Sequence, residues 1–191
     1  LYLLGENLQS VDLHGADSEE HAAAQMELSY FLAAGSAPAD AIPVAQDALR
    51  ALDRRYPGID KPVVTRALWA LGNALSSADR DAEAVPYLQR ARDMVGRIYG
   101  YDGAKFMRSL QLLGVAELSS GDLPAARKDL ALAAHLVETS APDHPLVSII
   151  HMYYAISLLR AGDAELALTQ ALRAAKEAAK AGRNDVADRA A

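Results

Sequence analysis

The sequence predicts an all-α protein, a stack of antiparallel helix pairs repeating about every 42 residues. Three observations carry that prediction. The segments Ala67-Leu-Trp-Ala-Leu-Gly-Asn-Ala-Leu75 and Ser109-Leu-Gln-Leu-Leu-Gly-Val-Ala-Glu117 share a Leu-x-x-Leu-Gly core, with Gly72 and Gly114 42 residues apart and Ala155 41 further on. Twelve residues after each of these small residues stands Ala84, Ala126 or Ala167, and seven later Ala91, Ala133 or Ala174. Twelve residues before each stands an Asp: Asp60, Asp102 and Asp143. Four columns keeping step through three units exceed what an alanine-rich chain supplies by chance.

Each column has a physical reason. Gly or Ala is required where two helices cross with their backbones nearly touching. The apolar residues between fall at helical spacing, Leu68, Leu71 and Leu75 in one unit and Leu110, Leu113 and Leu118 in the next, and so line one face. Turns inside the units read as Ser76-Ser-Ala-Asp-Arg80, Ser119-Ser-Gly-Asp122 and Ala161-Gly-Asp163, with Gly stopping one helix and Asp starting the next. The Asp column lies in the linkers between units, where it is expected to cap the following helix.

A weaker unit precedes these. Asp40-Ala-Ile-Pro-Val-Ala-Gln46 matches Glu83-Ala-Val-Pro-Tyr-Leu-Gln89 at an offset of 43, with a first helix expected over 19–34. The reading is therefore a single domain, 1–191. It comprises a remnant helix of a preceding unit (1–18), a degenerate repeat (19–59), repeats at 60–101, 102–142 and 143–182, and the start of a truncated helix at 183–191. Beginning at Leu1 inside an apolar pattern, the chain reads as a piece of a longer protein.

Composition agrees and excludes several functions. Hydrophobic residues make up 51% and charged residues 23%, as in ordinary globular proteins, and the heavy use of Ala favours helices. No cysteine is present, which removes disulfides and thiolate metal sites. No apolar run reaches about 18 residues, so a soluble, cytoplasmic protein without contact to a membrane is expected. Residues 1–49 hold eight acids and no Lys or Arg, whereas the rest holds all 19 bases against the other 17 acids. With a net charge of −6, direct nucleic-acid binding is not expected; the acidic end is a solvated face or a docking surface for a basic partner.

No catalytic pattern is present. A Gly-rich phosphate loop, Gly-x-Ser-x-Gly and His-Glu-x-x-His are all absent. None of the five His has a Glu three residues before it, and His144 and His151 read as capping or packing residues. Glu19-Glu20 is a charged helix start near the positive end of the dipole. A non-enzymatic protein without cofactor or metal is the expectation.

The Leu-x-x-Leu-Gly core, with alanines twelve and nineteen residues past the Gly, resembles the tetratricopeptide repeat (TPR) family over about residues 19–180. The added length beyond the common 34 residues, with Asp-His-Pro in a linker, resembles its kinesin-light-chain-like subgroup. Two features depart from the family pattern: the usual Trp is displaced to Trp69, two residues before Leu71, and the Pro that usually closes the second helix is missing. HEAT-type units have a similar period but lack the Gly/Ala/Ala columns.

The resemblance implies a right-handed superhelical stack, a TPR-like α-solenoid, whose first helices line a groove for a peptide or a partner's helix. At the family's offsets the groove residues are Arg66, Trp69, Asn73 and Ser77, then Arg108, Gln111, Val115 and Ser119, then Ile149, Met152, Ile156 and Arg160. The expected groove thus grades from basic and polar to apolar. Arg66 and Arg108 suit acidic groups, Asn73 a peptide backbone, and Trp69 an anchor. Against this stand blander roles: Trp69 packed between units, the two Arg paired with neighbouring acids, and the last apolar stripe covered by another helix. Only Asn73 and Arg108 match the residues with which some members grip a C-terminal carboxylate, so that activity is not expected. The function expected is a protein- or peptide-binding scaffold module. The alternatives are a ligand-sensing regulatory module of a transcription regulator or kinase, and a self-association segment forming a homodimer.

Overall fold

The computed structural model describes residue 15, residues 17–35 and residues 37–190, with side chains through residue 182. The described residues form eight helices and no strand: α1 (Glu19–Ala34), α2 (Pro38–Arg55), α3 (Pro62–Ser77), α4 (Asp81–Tyr99), α5 (Ala104–Ser120), α6 (Leu123–Ser140), α7 (Val147–Arg160) and α8 (Ala164–Ala190). They fall into two compact units, one up to Gly100 and one from Tyr101, where the sequence reading has one domain. The division lies within one residue of the boundary expected between repeats 60–101 and 102–142. The remnant helix expected at the amino end lies largely outside the described residues.

In the first unit α1 packs on α2, α2 on α3 and α3 on α4, and α1 also touches α3. In the second unit α5 packs on α6, α6 on α7 and α7 on α8, with a lighter contact between α5 and α7. Short links of two or three residues close each pair into a helical hairpin. Gly121 ends α5 at φ 94°, and the Asp122 carboxylate accepts from the backbone N–H of Ala125 to start α6. Gly162 at φ 85° and Asp163, which accepts from Leu166 N–H, repeat the device before α8. Asp79 takes the left-handed conformation before α4, at φ 56°, which aspartate tolerates better than most residues.

The small columns sit where the helices touch. Gly72 faces Leu88 of α4, and a Cβ on Gly72 would lie 2.4 Å from Leu88 Cδ2; one on Gly114 would lie 2.6 Å from Leu130 Cγ. Ala84, Ala91, Ala126 and Ala133 are fully buried. Moving back 43 residues from Gly72, Ala84 and Ala91 gives Ser29, Ala41 and Ala48, all fully buried. Ser29 Oγ donates to Ala41 O at 3.0 Å, so a hydroxyl spans the α1–α2 crossing where later units use bare backbone or a methyl. Pro43 and Pro86 occupy the same place, the sixth residue of α2 and of α4. There the missing N–H frees a carbonyl only in the first turn.

Two expectations are corrected. The Asp column does not cap: α3 begins behind Lys61, α5 behind Gly103 and α7 behind Leu146, none with a side-chain cap bond. Asp60 and Asp143 instead meet Arg97 and Lys180. Nor do residues 183–191 start a new helix, because α8 runs unbroken to Ala190. Gly182 is absent from the glycines with positive φ, so it continues the helix that a left-handed Gly would have stopped.

Candidate functional site

The candidate residues are placed by the apolar stripe of their helices: with Leu68, Leu71 and Leu75 buried together with Ala70, Gly72 and Ala74, Trp69 and Asn73 are the positions between them left partly open. Arg66 and Ser77 are exposed on α3, and Trp69 and Asn73 are half-buried. Arg66 Nη2 lies 3.8 Å from Glu27 Oε1 of α1, an exposed and loose ion pair. The expected pairing of Arg66 with a neighbouring acid is therefore present, at a geometry that leaves most of its donors available.

Beside Arg66 a depression of about 540 Å³ is lined by Glu19, Glu20 and Ala23 of α1 and by Lys61, Pro62, Val63 and Arg66 around the start of α3. Two carboxylates face two cations across it. Glu19 also accepts from the Tyr56 hydroxyl, while Ser18 caps α1 by accepting from His21 N–H at 3.0 Å. Such a hollow suits an extended segment offering both charge signs and backbone amides. The family offsets do not point to Glu19, Glu20 or Lys61; the run Glu19-Glu20 at a helix start was their only mark in the sequence.

In the second unit Arg108 and Ser119 are exposed and Val115 is half-buried, but Gln111 is only 7% exposed. On α7, Ile149 is half-buried, and Ile156 packs against the core cluster of Leu118, Ala126 and Leu130. Met152 is exposed. Arg160 Nη1 donates to Leu118 O of α5 at 2.9 Å, so this cation is committed to a helix end. Met152 and Ile156 also line an apolar trough of about 610 Å³ together with α8 residues such as Ala167, Leu168 and Ala171. Sequence reasoning missed the α8 side, although its apolar residues recur at spacings of three and four.

Of the two histidines singled out, His151 packs in the interior and His144 closes the turn that precedes α7. His151, buried, donates from Nδ1 to Gln170 Oε1 at 2.8 Å, and His144 Nδ1 accepts from Leu146 N–H at 3.2 Å. Among the described residues no cluster of three His, Cys, Asp or Glu could hold a metal ion, and no helix is long and apolar enough to cross a membrane.

Residues 111–184 match the family model described as tetratricopeptide repeat. The fold is the tetratricopeptide repeat fold. A point variant of the kinesin light chain nearly identical TPR-like repeats from Podosopora anserina superposes with a TM-score of 0.80 at 16% identity, covering 95% of this chain and 85% of that one. BtubC (BKLC) from P. vanneervenii superposes at 0.79 with 16% identity, covering 94% and 72%. YrrB, a TPR protein with an unusual peptide-binding site, superposes at 0.63 with 17% identity, covering 92% and 75%. No curated protein matches the sequence. The resemblance read from the Leu-x-x-Leu-Gly core thus holds, kinesin-light-chain-like repeats included. The TPR fold is one of protein-interaction scaffolds, and TPR proteins are generally non-enzymatic.

Proposed function

We propose that this chain is a non-enzymatic TPR module that holds a peptide or an extended segment of another protein. The binding surface is the α1–α3 face carrying Arg66, Trp69 and Asn73. The observation that carries this reading is the hollow between Glu19 and Glu20 on one side and Lys61 and Arg66 on the other, on a helix whose half-buried Trp69 and Asn73 follow Arg66 at helical spacing. Trp69 supplies apolar contact, Asn73 hydrogen-bonds a peptide backbone in both directions, and the four charged groups fix register. Arg108 and Val115 hold the corresponding positions on α5 in the second unit.

The test is a peptide array or pull-down with the wild type and with Arg66→Glu combined with Asn73→Ala. Arg66 is exposed and Asn73 half-buried, so helical content by circular dichroism should hold. Bound partner should fall at least tenfold, and more at low salt than at high salt, because exposed charge pairs are screened. Unchanged binding removes this face as the site.

A further inference from the structure

The trough between α7 and α8 has a chemistry unlike the charged α1–α3 face. Its floor on α8 is alanine at helical spacing, Ala164, Ala167, Ala171, Ala174, Ala175 and Ala178. Leu168 of α8 and Leu159 of α7, which line it, are each 62% exposed, and Leu172, one turn past Leu168 on α8, is 63% exposed. A monomer rarely leaves so many large apolar groups together in water. Holes and knobs of matching size on one face are what a surface needs to pair with itself.

We infer that this face is the contact between two copies of the chain, related by a two-fold axis passing near Ala171, with the two α8 helices antiparallel. Charge decides the orientation. Glu165, Leu168, Leu172 and Lys176 follow one another at spacings of three, four and four, along the α8 edge away from α7. Both charged residues are exposed, and neither side chain has a partner among the described residues. With the axis near Ala171, Ala164 comes opposite Ala178 and Ala167 opposite Ala175, and Glu165 of each copy lies within one residue of the level of Lys176 of the other. On α7 the same axis sets Met152 against Leu159 of the second copy. A parallel arrangement would instead put the charged edge of one copy over the apolar α7 of the other.

Size agrees with a weak dimer. Residues 164–182 extend about 28 Å at 1.5 Å per residue, and two helices side by side are about 20 Å across. The two copies together would bury on the order of 1,000 Å², near the lower limit for a specific interface and suited to micromolar association. The contact does not use Arg66, Trp69 or Asn73, so it stands or falls apart from the proposed peptide site.

Sedimentation velocity over a concentration series tests the inference. The wild type should pass from monomer to dimer across the micromolar range. Leu168→Glu with Leu172→Glu, at exposed positions that leave the fold intact, should weaken association at least tenfold. Glu165→Lys should weaken it several-fold, and Glu165→Lys with Lys176→Glu should restore it, because the pair is then reversed in both places. A protein monomeric beyond about 100 µM, well above the range expected for an interface of this size, overturns the inference and leaves the trough to a different helix. A dimer insensitive to the two Leu changes also overturns it, as does a double charge reversal no better than the single one.

Discussion

Arg97 closes on Asp60 through two hydrogen bonds, Nε to Oδ2 at 2.5 Å and Nη2 to Oδ1 at 3.0 Å, across 37 residues of sequence. The same spacing joins Asp17 to Arg54 at 2.5 Å and Asp143 to Lys180 at 2.6 Å. In each case the acid precedes the first helix of a pair, and the base is the seventeenth residue of the second helix. The link therefore ties the entry of a repeat to its exit. Only the unit led by Asp102 breaks the series, since the residue 37 further on is Thr139.

Losing one such tie should cost little and should depend on pH. The hydrogen bond from Arg97 holds the Asp60 carboxyl below its ordinary value. A depressed carboxyl stabilises the fold above its unfolded value of about 3.9, and that contribution is lost as pH falls through the lower folded value. Asp60→Asn should therefore lower stability at neutral pH by no more than about 1 kcal/mol, as the pair is largely exposed. Urea titrations of both proteins should draw together as pH falls below the ordinary carboxylate range and Asp60 is protonated in the folded state. A difference that persists undiminished there would assign the effect to packing.

Arg160 makes a different kind of tie. Its Nη1 donates to Leu118 O, 42 residues back, which is one of the orphan carbonyls in the last turn of α5. Arg160→Ala should destabilise the second unit by about 1 kcal/mol, the net worth of a part-exposed charge-assisted bond. Hydrogen exchange should show faster amides at the end of α5, whereas Arg160→Lys should recover part of the protection.

The stack was legible in the sequence because close helix crossings admit only small residues, and small residues at fixed spacing leave a strong trace. That logic reached even the weak first unit: Ser29, Ala41 and Ala48 lie in the three small columns once the offset of 43 is applied. The Asp column was visible, but its role was not. An acid in a loop before a helix suits both a cap and an ion pair, and the base that decides between them lies a whole helix pair away. The candidate groove was legible only as a row of positions. A fixed offset fixes the direction in which a side chain leaves its helix, not what a neighbouring helix covers, so Gln111 lies buried where the row implied exposure. The α7–α8 trough needed the structure, because its two walls come from different helices.

The buried polar pair of the last repeat gives a third test. His151 Nδ1 bonds Gln170 Oε1 at 2.8 Å, and its Nε2 lies 3.7 Å from Glu138 Oε1, which also meets Arg173. His151 and Gln170 are both buried. His151→Leu strands the Gln170 amide and should cost about 1–3 kcal/mol, the desolvation penalty of an unsatisfied buried group. Adding Gln170→Leu should return much of that loss, since removing both partners leaves nothing unpaired. If the double variant is as unstable as the sum of the singles, the pair is not coupled.

The tightest constraint lies between Gly72 and Leu88. A methyl on Gly72 would lie 2.4 Å from Leu88 Cδ2 and 2.7 Å from its Cγ, and Leu88 is itself buried with little room to retreat. Gly72→Ala gains about 1 kcal/mol of helix propensity but overpacks the crossing by about 1–3 kcal/mol. The net should be destabilising, with a lower Tm. The chain supplies its own compensation: sixteen residues separate Gly72 from Leu88 and Gly114 from Leu130, and at the same spacing the last pair has Ala155 and Ala171. The first residue is one methyl larger there and the second three carbons smaller, and both line the α7–α8 trough. In a Leu88→Ala background, Gly72→Ala should therefore be neutral or stabilising, although Leu88→Ala alone leaves a cavity and costs about 2–5 kcal/mol. A double-mutant cycle by chemical denaturation measures the coupling. Additive effects would mean that the two side chains do not compete for the same space.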